Sequence, residues 1–162
     1  MSSIWPQLEE ILDDVQKPAR YIGCEDGVIT PQHHPSKVSW LLTYPDTYEV
    51  GLPNQGLQIL YEIINERSDA VAERAYAPWT DMAAALREHK LPFFSVDSHR
   101  PAKEFDILGF NLSASQKRER REEKGGERAL FSWFRVFLSH LLLSSIKNTK
   151  NFVNTKRALS AR

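Results

Sequence analysis

The sequence predicts an α/β fold, an open parallel sheet with flanking helices that is incomplete at one edge, followed by an irregular or helical C-terminal tail. Three observations predict it. From residue 38 onward, short β-favouring runs alternate with helical patterns of crossover length, the arrangement that pairs strands in parallel. The alternation stops after Ser113, with no further strand–helix unit. Charge then divides the chain: residues 1–114 carry 9 Lys and Arg against 17 Asp and Glu, a net of −8, whereas residues 115–162 carry 12 against 4, a net of +8.

Residues 3–17 read as a helix, with Trp5, Leu8, Ile11, Leu12 and Val15 at helical spacing, Pro6 in its first turn and Pro18 as its stop. Residues 19–36 read as an irregular arm punctuated by Gly23, Gly27, Pro31 and Pro35, with a short strand expected at 27–30. Residues 38–43 form a nearly continuous β-favouring run, as a strand covered on both faces should. A helix follows over 54–67, with Leu57, Leu60, Tyr61 and Ile64 on one face. A second strand is expected over 71–77. Thr80 then caps a second crossover helix, with Asp81 at its positive dipole end and Met82, Leu86 and His89 on one side. Residues 93–96 and 105–112 supply a third and a fourth strand. The whole reads as a Rossmann-like parallel sheet of about four strands, and its unpaired edge predicts marginal stability or aggregation for the chain on its own.

The composition, 41% hydrophobic and 26% charged over 162 residues, is that of one soluble domain. The single cysteine, Cys24, excludes an internal disulfide and cannot supply the three or four thiolates of an iron–sulfur cluster. The N-terminus lacks the basic-then-apolar order of a signal peptide, and no uncharged apolar run reaches the ~18 residues of a spanning helix. A cytoplasmic location is therefore expected. The domain reading is an N-terminal helix over 1–18, a Rossmann-like domain over 19–114 and a basic tail over 115–162.

Open α/β sheets bind ligands outside the carboxyl ends of their strands. Here that place is residues 43–56, a crossover rich in hydrogen-bonding groups. Asp46, Thr47, Tyr48, Gly51 and Gly56 are its candidate cofactor-binding residues. Glycines let backbone approach a ligand or a neighbouring element, and the helix opening near Asn54 offers free N–H groups. A structural reading stands beside this one: Pro45 and Gly51 shape a turn, Asp46 caps it, and Tyr44 and Tyr48 pack beneath. No Gly-Lys-Ser/Thr and no GxGxxG appears, so a phosphate loop is excluded.

The run Tyr44-Pro45-Asp46-Thr47-Tyr48-Glu49-Val50-Gly51, followed by Gly56-Leu57-Gln58-Ile59-Leu60-Tyr61-Glu62-Ile63, resembles the N-terminal region of the B12-binding-type radical SAM proteins. Residues 72–79, 92–98 and 105–110 are similar to the same family in the same order. The resemblance implies a cobalamin-binding-like domain that, in the full family, precedes a radical SAM barrel. It makes cobalamin the possible cofactor of this chain and the barrel its partner. The 4Fe-4S cluster and S-adenosylmethionine belong to the full-length family. Many cobalamin domains carry Asp-x-His-x-x-Gly at the first strand end, with the histidine on cobalt. Here Tyr48 stands in that place, and a phenol of pKa about 10 is a poor cobalt ligand. The resemblance therefore implies cobalamin bound without a protein lower ligand. The barrel's Cys-x-x-x-Cys-x-x-Cys motif is absent from the sequence, so this polypeptide alone is not expected to cleave S-adenosylmethionine.

No other group rises to a site. Cys24, His33 and His34 lack the number and spacing of a zinc set and read as solvated loop residues. His89 reads as a helix-end cation, His99-Arg100-Pro101 as a surface turn and Trp79 as a plug at the sheet edge. Asp97 and Asp106 fall at opposite strand ends and form no acid–base pair, and no nucleophile–base pair supports a hydrolase or transferase. In the tail, 117–128 interleaves both signs, and 129–146 lacks the clean polar face of a membrane-surface helix. No aromatic and basic platform for nucleic acid is present. The abrupt change after Ser113 is what a frameshift or gene-model error would produce, and the domain is expected to be truncated there. A cofactor-free, flavodoxin-like interaction or regulatory module is the alternative function.

Overall fold

The computed structural model describes residues 3–25, 28 and 31–111. The tail over 115–162, the end of the strand expected to reach 112, and the short strand expected at 27–30 lie outside the described residues or rest mostly on residues outside them. The elements run α1 (Trp5–Leu12), β1 (Val38–Tyr44), α2 (Tyr48–Gly51), α3 (Gln55–Asn65), β2 (Ala70–Tyr76), α4 (Thr80–Glu88) and β3 (Ile107–Phe110). The strands form one sheet in the order β2-β1-β3, parallel throughout. The α/β class and the open Rossmann-like sheet with flanking helices are as the alternation predicts.

Each face of the sheet has its own cover. Leu42 and Tyr44 of β1 and Ala72 and Tyr76 of β2 pack with Leu57 and Tyr61 of α3. On the other face, Leu41 and Ala75 pack with Ala102 and Phe105. All seven residues of β2 are buried, including Glu73 and Arg74, which point to opposite faces because successive strand side chains alternate. A third cluster joins α1 to α4 through Leu8, Ile11 and Leu12 on one and Met82 and Leu86 on the other. Asp81, in the first turn of α4, accepts from Gln16 N–H in the segment after α1 and from its own neighbour Met82 N–H, both at 2.6 Å.

Several expected elements are corrected. The strand expected over 93–96 is not formed: Phe94 makes an isolated antiparallel bridge to Pro101, and the segment turns back on itself through Ser95 N–H to Arg100 O and Ala102 N–H to Phe93 O. The outer edge of β2 is instead completed largely by side chains. The Asn65 amide donates to Ala72 O and accepts from Ala72 N–H, both at 3.0 Å. Asp97 accepts the Arg74 N–H at 2.5 Å, and Val96 N–H donates to Arg74 O at 2.9 Å. Buried backbone groups require partners, and here an amide and a carboxylate supply them in place of a fourth strand.

α1 ends at Leu12 rather than 17, and Pro18 opens a 3-10 turn (Pro18–Tyr21) after Lys17 at φ 54°. Thr80 is the first residue of α4, with Trp79 in the cap position and no side-chain cap bond. On α3, Leu57 and Tyr61 face inward, but Leu60 is exposed.

Candidate functional site at the strand ends

The crossover 45–54 sits over the carboxyl ends of β1 and β2. Asp46 Oδ1 accepts the Thr47 N–H at 2.7 Å, and its carbonyl accepts from Ala77 N–H at 2.9 Å. Thr47 is buried, and its carbonyl receives Val50 and Gly51 N–H. Gly51 lies against the Tyr76 ring: a Cβ there would overlap Tyr76 Cδ1 and stand 3.1 Å from Tyr44 Cδ1. Its close approach is thus to a neighbouring side chain. Gly56 has room for a Cβ at 3.4 Å from Asn54 Oδ1 and 3.5 Å from Asn111 Nδ2. Asn54 caps α3, its Oδ1 accepting from Leu57 N–H at 3.0 Å and from Asn111 Nδ2 at 2.9 Å.

Tyr48 faces inward. Its hydroxyl donates to Glu25 Oε1 at 2.6 Å and its ring meets Tyr76 edge-on at 5.4 Å. Burial, then the Glu25 carboxylate, pushes its pKa above the ordinary tyrosine value. Glu25 Oε2 accepts from Arg74 Nη2 at 3.0 Å. Arg74 also donates to Asp97 Oδ1 from Nη2 at 2.7 Å and from Nε at 3.2 Å, and its guanidinium lies 4.6 Å from the Tyr61 ring centroid. Burial opposes the charge on Arg74, but Asp97 more than offsets it and raises the pKa. The Tyr76 phenol is buried beside Arg74. Burial raises its pKa, while the Arg74 charge acts against that rise.

These contacts assemble a buried cluster of Arg74, Asp97 and Glu25 walled by Tyr48, Tyr61 and Tyr76. Of its members, only Tyr48 was among the candidates read from the sequence. The legible signal for the rest was the pair Glu73-Arg74 inside an otherwise apolar strand.

A second polar group lies on the other face. Glu73, fully buried, pairs with His33 and accepts from Ser98 Oγ at 2.7 and 2.9 Å. His33 is therefore not a solvated loop residue, whereas Cys24 and His34 are exposed. The carboxylate receives the serine directly, so no imidazole stands ready to take the serine proton as nucleophilic catalysis requires. Beside it opens a cavity of about 650 Å³ lined by His33, His34, Lys37, Ser98, Arg100 and Asp106 among others. Arg100 and Pro101 are buried, so His99-Arg100-Pro101 is not a surface turn. His99 Nε2 bonds the Tyr21 carbonyl at 2.9 Å and its ring lies 4.6 Å from Trp5. Asp106, just before β3, bonds Ser39 N–H and Oγ at 2.8 and 2.7 Å. His89 is the C-cap of α4. Trp79 is partly exposed beneath Arg20, whose guanidinium lies 5.2 Å from its ring centroid.

Among the described residues, no group of three or more His, Cys, Asp and Glu is placed to hold a metal ion, and no helix is long and apolar enough to cross a membrane.

Residues 56–118 match the family described as radical SAM proteins, N-terminal. The match includes Arg74, Tyr76 and Asp97 and begins at Gly56, so Asp46, Thr47, Tyr48 and Gly51 fall before it. Searches of the curated proteins and of the solved structures return no match.

Proposed function

We propose that this chain is the N-terminal domain of a radical SAM-related protein and that its task is binding, with the radical chemistry carried by a cluster-bearing barrel as its partner. The observation that carries the reading is the family match over 56–118 on a parallel α/β sheet whose strand ends hold a buried polar cluster. The 162 residues contain one cysteine, so the three thiolates of a radical SAM cluster cannot come from them.

Cobalamin is the cofactor that the sequence resemblance implies, and the described residues do not fit it with a protein lower ligand. The phenol at the place of a cobalt-binding imidazole is bonded to Glu25. Gly51 is filled by the Tyr76 ring rather than left as a cradle. The space that Tyr48 and Tyr76 line is about 10 Å³, room for one water. The Tyr48–Glu25 bond thus favours the reading in which binding is independent of a corrin.

The test is anaerobic reconstitution of the chain with iron and sulfide, then incubation with S-adenosylmethionine and dithionite. We expect no 5′-deoxyadenosine, and no change in the visible spectrum of hydroxocobalamin titrated with the chain. Formation of 5′-deoxyadenosine by this polypeptide would overturn the assignment of a binding role, and a spectral change on titration would restore the corrin.

A further inference from the structure

We propose that Arg74 and Tyr48 form a carboxylate receptor, filled here by the chain's own Glu25, and that a small molecule bearing a carboxylate binds in Glu25's place. The inference rests on the strand ends being the binding site, as proposed above, and names the ligand class.

The contacts have the form of ligand recognition. One oxygen of Glu25 takes the Tyr48 hydroxyl at 2.6 Å and the other takes Arg74 Nη2 at 3.0 Å. Two donors thus grip the two oxygens of one planar group, which fixes its orientation as well as its charge.

Charge balance does not require Glu25. Asp97 alone neutralises Arg74, through contacts at 2.7 and 3.2 Å. The second carboxylate leaves the group of three with a surplus negative charge in a buried place. Removing Glu25 to solvent leaves Arg74 still paired, so exchanging it for another carboxylate exposes no lone buried cation.

The position also suits a ligand, because the cluster lies at the strand ends where open α/β sheets bind them.

The experiment uses the full chain with Glu25→Ala, which leaves a space matching acetate, and reads thermal melting in acetate or in acetamide at matched ionic strength. Acetate should raise the melting temperature of this variant by several degrees, acetamide should not, and the unaltered chain should respond little because Glu25 competes. Adding Tyr48→Phe, which removes the hydroxyl that donates to the Glu25 carboxylate, should weaken the acetate response by about tenfold in midpoint, the worth of one hydrogen bond to a charged group. Equal responses to acetate and acetamide, or none to either, overturn the proposal. Should Glu25→Ala fail to fold, Glu25→Gln carries the test: its acetate midpoint should fall below that of the unaltered chain, and equal midpoints overturn the proposal. Neither readout involves S-adenosylmethionine or cobalamin, so a failed receptor and a failed family assignment are told apart.

Discussion

Asp97 accepts hydrogen bonds from both ends of Arg74, its Oδ2 taking the backbone N–H at 2.5 Å and its Oδ1 taking Nη2 and Nε at 2.7 and 3.2 Å. One carboxylate thereby closes the edge of β2 and neutralises a buried cation. Removing it does two kinds of damage. Asp97→Ala should cost about 3–5 kcal/mol, the usual consequence of breaking a buried pair from one side, as measured by urea denaturation. Asp97→Asn should cost less, because an amide oxygen can still accept the backbone N–H. Equal costs would show that charge, and not edge closure, is all that Asp97 supplies.

Gly51→Ala places a methyl where the Tyr76 ring now lies. Overpacking of this kind costs about 1–3 kcal/mol. A double-mutant cycle with Tyr76→Ala should recover most of that cost, since the clash is with that ring. An unchanged melting temperature in Gly51→Ala would show that the ring yields freely.

His99 predicts a pH dependence. Burial lowers its pKa, opposed by its bond to the Tyr21 carbonyl. The folded chain therefore favours the neutral ring, and the unfolded chain binds the extra proton. Stability from this group is complete above the unfolded value of about 6.5 and is lost as pH falls through it toward the lower folded value. His99→Asn should flatten that part of the stability profile, and it suits the φ of 58° there. A profile unchanged by the substitution would assign the dependence to another group.

Asn54 joins two elements with one oxygen, capping α3 at Leu57 N–H and receiving the Asn111 amide beyond β3. Asn54→Ala should cost about 1 kcal/mol as a lost cap, with a further loss from the orphaned Asn111. Asn54→Asp keeps both acceptors and adds charge at the helix N-terminus, so it should be neutral or slightly stabilising. Chemical denaturation of both variants checks the order.

Much of the architecture was legible because its signals are local. The apolar run from Val38 marked a strand covered on both faces, and Asn54 ahead of Leu57 and Tyr61 marked the start and inner face of a helix. Two of the readings that failed show the physical reason. Residues 93–96 have strand composition, but composition does not say whether an edge is open to them. The edge of β2 is taken instead by Asn65, Asp97 and Val96. His33 was read as a loop residue because nothing near it in sequence reveals a buried carboxylate 40 residues away.

The candidate site divides in the same way. Tyr48 was singled out because it lies at a strand end. Its partner Glu25 was not, being one of two adjacent acids, Glu25-Asp26, in an irregular arm. The sequence by itself determined the α/β alternation, the parallel sheet and the single cysteine, because side-chain period, turn residues and composition are properties of neighbouring positions. Only the tertiary structure decided which charges meet. Arg74 finds Asp97 at a separation of 23 residues and Glu25 at 49, and such pairings follow from how strands and arm are laid together in space, where burial forces each charge to find a partner.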